Sequence, residues 1–97
     1  MNKLDSIYDL LKNLQPYELK VEDNSASHAN HYDQVKNSHF PSHISIFIVS
    51  SLFDELSLVE RERLVNRALA PAYKKGLHAS TIKTSTIELY KLLDNKT

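Results

Sequence analysis

The sequence predicts one α+β domain of three strands and three helices, in the order α–β–β–α–β–α. Tyr17 to Glu22 alternates strictly between apolar and charged residues, as a half-buried strand does. Ile44 to Val49 is a nearly continuous β-branched run, the pattern of a central strand. The segments around these strands repeat their apolar residues at helical spacing. With 97 residues there is room for one core, because a second would leave each half too small to bury enough surface.

Leu4, Ile7, Tyr8, Leu11 and Leu14 fall on one helical stripe, and Pro16 marks its end. In the strand that follows, Tyr17, Leu19 and Val21 are expected to face inward. Periodicity then disappears from Asp23 to about Ser42, a segment rich in Asn, Ser, Asp and His. Loops of that length in compact domains tend to be functional or disordered, and this one is expected to be mobile. The central strand leads to Ser57-Leu58-Val59-Glu60, a capping box in which serine takes the third amide and glutamate reaches back. The helix it opens places Leu58, Val65, Ala68, Leu69 and Ala72 on one face. Pro71 is expected to kink or split that helix, since an interior proline loses a hydrogen bond and clashes with the preceding turn. Gly76, the single glycine, stands where a left-handed cap belongs. Leu77 to Thr84 reads as the third strand. Ser85-Thr86-Ile87-Glu88 reads as a second capping box, opening a short helix with Ile87, Tyr90 and Leu93 available for packing.

Composition narrows the chemistry. Lys plus Arg and Asp plus Glu are both 12, so there is no general electrostatic pull towards nucleic acid or an anionic membrane. Cysteine is absent, which excludes disulfides, thiolate catalysis and Cys-based zinc sites within the chain. The start lacks the apolar core of a signal peptide, and no apolar run approaches a membrane span, so a cytoplasmic protein is expected. No nucleophile elbow, phosphate loop or His-Glu-x-x-His stands in the sequence, and the expectation is a protein that is not an enzyme.

Several short motifs, in order, resemble the BolA family. They are Asp23-Asn24-Ser25-Ala26-Ser27-His28, Ser38-His39-Phe40, Val49-Ser50-Ser51-Leu52-Phe53, Arg61-Glu62-Arg63, His78-Ala79 and a helix start around Thr86. The similarity runs from about Val21 to Glu88. It implies a class II KH-like fold, a three-stranded mixed sheet packed against helices on one face, and the order of elements read from periodicity agrees with it. The chain departs from the family pattern at Asp54-Glu55, Glu62, Ser80 and Pro71, positions that touch the recognition surface more than the core.

The resemblance also implies a function. The family uses the histidine of its His-Ala step as a ligand to a [2Fe–2S] cluster shared with a monothiol glutaredoxin and glutathione, with a second ligand from the loop between the first two strands. By position His78 is the first ligand, and His28 or His31 the second. No cofactor is expected on the isolated chain. Neutral imidazole is a competent iron ligand, and a chain without cysteine must borrow its sulfur. His39 and His43 lead into the central strand and are assigned structural or solvent roles. Arg61, Arg63, Arg67, Lys74 and Lys75 give the long helix a basic character, suited to docking a partner protein. The alternative is a DNA-binding transcriptional regulator using residues 58–75. A phosphate-binding KH loop, however, needs two glycines where this chain has one.

Overall fold

The computed structural model describes residues 3–25 and 41–94. Its elements are α1 (Lys3–Leu11) running into a 3-10 turn (Lys12–Leu14), β1 (Glu18–Asp23), β2 (His43–Val49) and a second 3-10 turn (Ser51–Phe53). There follow α2 (Leu58–Ala68), α3 (Ala70–Lys74), β3 (Ala79–Ser85) and α4 (Ile87–Asp94). The expected order holds, with the long helix divided in two.

The strands form one sheet in the order β1-β2-β3. β1 runs antiparallel to β2, with Leu19 opposite Ile48 and Val21 opposite Ile46. β3 runs parallel to β2, with His43 opposite Ala79 and Ile46 opposite Ile82. A parallel neighbour requires a crossover, and α2 with α3 supplies it. Because side chains alternate along a strand, Ile44, Ile46 and Ile48 face the core while His43, Ser45 and Phe47 share the opposite face. Ile7, Leu11, Leu14, Val21, Phe53, Val65, Leu69, Ala72 and Leu77 complete the buried cluster on the helix-covered side. On the opposite face, among the described residues, Tyr90 of α4 lies against Phe47 with ring centroids 5.8 Å apart.

Local rules explain the joints. Gln15 closes the first helix in the left-handed conformation (φ 53°, ψ 54°) and donates its N–H to the Lys12 carbonyl. Pro16 disfavours the right-handed helical region for the residue before it, so Gln15 is steered out of the helix. Pro71 falls at the start of α3, where its missing N–H is not needed, and α2 ends at Ala68. Gly76 adopts φ 129°, a region closed to side-chain-bearing residues. Ser80, a polar departure from the family pattern, is matched by Tyr73, whose hydroxyl lies 2.6 Å from Ser80 Oγ. Tyr8 is half-exposed because its hydroxyl accepts the Val21 N–H at 3.2 Å, covering a stretch of the β1 edge.

Three expectations need correction. Tyr17 is 52% exposed rather than inward: it precedes β1, and its ring meets Tyr90 edge-on at 6.1 Å. Leu58 is 67% exposed: it sits in the first turn of α2 and lines an open groove with Ile82, Tyr90 and Leu93 instead of entering the core. The cap of α4 is Thr86, whose Oγ1 accepts the Leu89 N–H, while Ser85 is buried at the end of β3 and donates to the Thr86 carbonyl. The box is therefore one residue out of register, and the third helical position is Leu89, which cannot reach back.

The Ser57 box is complete. Ser57 Oγ accepts the Glu60 N–H at 3.2 Å and Glu60 Oε1 accepts the Ser57 N–H at 2.8 Å. The Ser57 backbone bond, followed by the side-chain one, holds the Glu60 carboxyl below the ordinary glutamate range. A folded-state pKa below the unfolded one means that this contribution is present above the unfolded value and is lost as pH falls through the lowered one. Ser57→Ala is expected to lower stability by about 1 kcal/mol in urea unfolding at neutral pH. A midpoint indistinguishable from wild type would mean that the box carries no weight.

Candidate functional site

Two strands begin side by side, and a histidine stands at each start. His43 is the first residue of β2, and His78 immediately precedes β3. The parallel pairing of His43 with Ala79 brings these distant positions together. The Ser42 carbonyl accepts both the His78 N–H at 2.8 Å and the Ala79 N–H at 3.2 Å, fixing the backbone of the His-Ala step. The two imidazole rings lie stacked, with centroids 6.3 Å apart and planes inclined by 30°. His43 Nδ1 is 3.1 Å from Ser42 Oγ, which orients its ring. His78 is exposed and His43 half-buried.

The same corner gathers the ends of the long loop. Asp23 Oδ1 accepts the Ser25 N–H at 2.8 Å, an Asx turn at the end of β1. Ser25 Oγ in turn accepts the N–H groups of Ser42 at 2.9 Å and His43 at 3.3 Å. Asn24 donates its backbone N–H to the His43 carbonyl, and its side-chain amide bonds Ser45 Oγ. The chain therefore leaves at Ser25 and returns at Pro41 beside His78. His28, His31 and His39, with the expected mobility of the loop, lie outside the described residues. Among the described residues no three His, Cys, Asp or Glu side chains are grouped to hold a metal ion. Among the described residues the corner supplies two imidazoles, those of His43 and His78.

The sequence assigns His43 a structural or solvent role and does not show its neighbour. A signal was present: Ser42-His43-Ile44 repeats the Ser-His-apolar order of Ser38-His39-Phe40, and this second copy is the one that opens the strand.

The expected docking residues divide. Arg61 Nε–H donates to the Leu56 carbonyl at 3.0 Å, so its guanidinium braces the turn before α2. Arg63 and Arg67, four residues apart on one helix face, line a shallow groove with Leu56, Glu60 and Leu64. Lys74 and Lys75 are exposed at the end of α3 and just beyond it. The groove joins the apolar Leu56 and Leu64 to a mixed rim of Arg63, Arg67 and Glu60, a composition suited to a protein surface.

The family model for BolA-like proteins matches residues 10–88. The chain belongs to the BolA-like family. It is 39% identical over 77 residues to the chloroplastic protein BOLA1 of Arabidopsis thaliana, covering 79% of this chain and 48% of that protein. It is 42% identical over 80 residues to the chloroplastic/mitochondrial SufE-like protein 1 of the same plant, covering 79% of this chain and 21% of that one. The chain thus spans about half or less of these two relatives. Among solved structures, BolA1 from Arabidopsis thaliana superposes with TM-score 0.77 at 36% identity, over 89% of this chain and 93% of that one. The BolA domain of SufE1 from the same plant gives TM-score 0.76 at 37% identity, over 91% and 95%. The three-stranded mixed sheet with its helices is thus the BolA-like fold. Among the described residues no helix is long and apolar enough to cross a membrane.

Proposed function

We propose that this BolA-like chain is a non-enzymatic, cytoplasmic adaptor that binds a monothiol glutaredoxin and co-ligates a [2Fe–2S] cluster through histidine, in cluster trafficking or iron sensing. The observation that carries the reading is His78. Its imidazole is exposed, while its backbone is pinned by the Ser42 carbonyl at 2.8 Å, so a ligand is presented from a rigid strand start to a partner's surface. The donor set suits the group: imidazoles are available at this corner, cysteine is absent from the chain, and the thiolates would come from the glutaredoxin and glutathione. A cluster so held would supply a redox-active or transferable iron–sulfur unit. This chain's own part is to present the imidazoles, fix their orientation and dock the partner through the Arg63 and Arg67 groove.

The second ligand in this reading is His28 or His31. By position in the family pattern, five residues after Asp23, His28 is the better match, and His31, three residues further on, could also reach. The test is anaerobic reconstitution of the chain with a monothiol glutaredoxin and glutathione, followed by visible absorption and circular dichroism. A spectrum distinct from that of the glutaredoxin homodimer is expected. If only the homodimer spectrum develops, the adaptor reading fails. DNA binding by residues 58–75 then becomes the leading alternative, resting on exposed Arg63, Arg67, Lys74 and Lys75 and tested by salt-dependent retention on duplex DNA.

A further inference from the structure

We propose that the outer edge of β3 is a self-association surface, on which a second copy of this chain lays its own β3 antiparallel to make one continuous sheet. Among the described residues β3 is an edge strand, paired with β2 on one side. The Ala79 N–H donates to the Ser42 carbonyl at 3.2 Å, and the Ser85 carbonyl accepts the Ser50 N–H at 3.2 Å. Backbone groups alternate along a strand, so Ala79, Thr81, Lys83 and Ser85 turn towards β2, while Ser80, Ile82 and Thr84 turn away. These three present their N–H and C=O groups at the spacing that an added strand takes up. The edge also runs along an apolar groove. Ile82 and Thr84 line it with Leu58 of α2 and with Leu89 and Leu93 of α4. Leu58, Leu89 and Leu93 are 67%, 47% and 58% exposed, so large apolar side chains flank the very strand whose backbone lacks a neighbour.

Symmetry selects the occupant. A two-fold axis through Ile82 sets Ile82 against Ile82 of the second copy and Ser80 against Thr84 of the second copy, and about six backbone hydrogen bonds close. Lys83 then faces Thr81 of the second copy, so no like charges stand directly opposite. The flanking elements fit in the same register. Tyr90 sets α4 over the Phe47 end of the open sheet face. At the other end of β3 that face carries Ala79 and Thr81, small and exposed. Antiparallel pairing lays this end of each copy beside Leu89 and Leu93 of the other. The reciprocal fit favours a second copy over an unrelated extended segment.

The inference does not rest on the adaptor reading, because the chain is tested alone. The full chain is followed by sedimentation velocity from about 1 μM to about 1 mM, with backbone amide hydrogen exchange at both ends of that range. A monomer–dimer equilibrium is expected, with the Ser80, Ile82 and Thr84 amides exchanging about tenfold or more slowly in the concentrated sample. Leu93→Glu charges an exposed position, and Thr84→Pro removes an outward N–H that the pairing with β2 does not use. Each is expected to weaken dimerisation about tenfold or more, while far-ultraviolet circular dichroism stays that of the folded protein. A chain that remains monomeric throughout overturns the proposal. A dimer whose Ser80, Ile82 and Thr84 amides keep the monomer's exchange rates overturns it too, and that measurement needs no variant.

Discussion

Phe53→Ala is expected to lose about 3–5 kcal/mol of stability, the range for truncating a fully buried aromatic side chain. Phe53 is 0% exposed, although it lies in a 3-10 turn rather than in a strand or long helix. It belongs to the same buried cluster as Ile7, Leu11, Ile44, Val65 and Leu69, so the ring joins the helix layer to the sheet. The turn is held by Ser50, whose Oγ accepts the Leu52 N–H at 3.1 Å and donates to the Leu14 carbonyl at 2.7 Å. With its backbone fixed in this way, the turn cannot collapse freely into the space that the ring would leave. A domain of this size has about 5–10 kcal/mol in all, so the variant would sit near its unfolding threshold. Leu52→Ala is the control: Leu52 is the adjacent residue in the same turn, is 41% exposed, and should change stability by about 0.5 kcal/mol or less. Urea unfolding of the three proteins checks both statements. Equal losses at the two positions would mean that the turn is packed the other way round.

Helix ends are legible in this sequence because their signals are local. The Ser57 box, the break at Pro71 and the left-handed turn at Gly76 each depend on a few neighbouring residues and on steric rules that need no tertiary context. The alternating and continuous apolar runs locate two strands for the same reason. What local pattern does not carry is pairing across the sheet. Nothing within a few residues of His43 indicates that Ala79 will lie opposite it, since that follows from the parallel crossover and its register. The corner that joins Ser25, Ser42, His43 and His78 is therefore a product of topology, and His78 was readable only through the His-Ala resemblance. Tyr17 and Leu58 fail for a related reason. Each lies at the very end of an apolar pattern, where the periodicity continues after the packing surface has stopped. The α4 cap differs again: Ser85 and Thr86 both offer a capping hydroxyl, and the burial of Ser85 at the end of β3 leaves that role to Thr86.

His78→Ala is expected to leave the fold intact and to remove the cluster-bearing complex with a monothiol glutaredoxin. The two halves of that expectation rest on different atoms. The structural contribution of residue 78 is its backbone N–H, which donates to the Ser42 carbonyl at 2.8 Å and is kept by alanine. Its side chain is exposed, so removing it should change stability by about 0.5 kcal/mol or less in urea unfolding. The ring carries the proposed coordination, and the chain has no cysteine that could replace it. Losing one ligand should lower heterocomplex affinity at least about tenfold, or about 1.4 kcal/mol, and return the visible circular dichroism to that of the glutaredoxin homodimer. His28→Ala and His31→Ala, measured separately, then assign the second ligand: the one that reproduces the loss supplies it. Arg63→Glu with Arg67→Glu reads the groove on α2, and should weaken association without altering the spectrum of whatever complex still forms. A His78→Ala protein that is fully folded and still gives the heterocomplex spectrum would remove His78 from the site and take the adaptor reading in its present form with it.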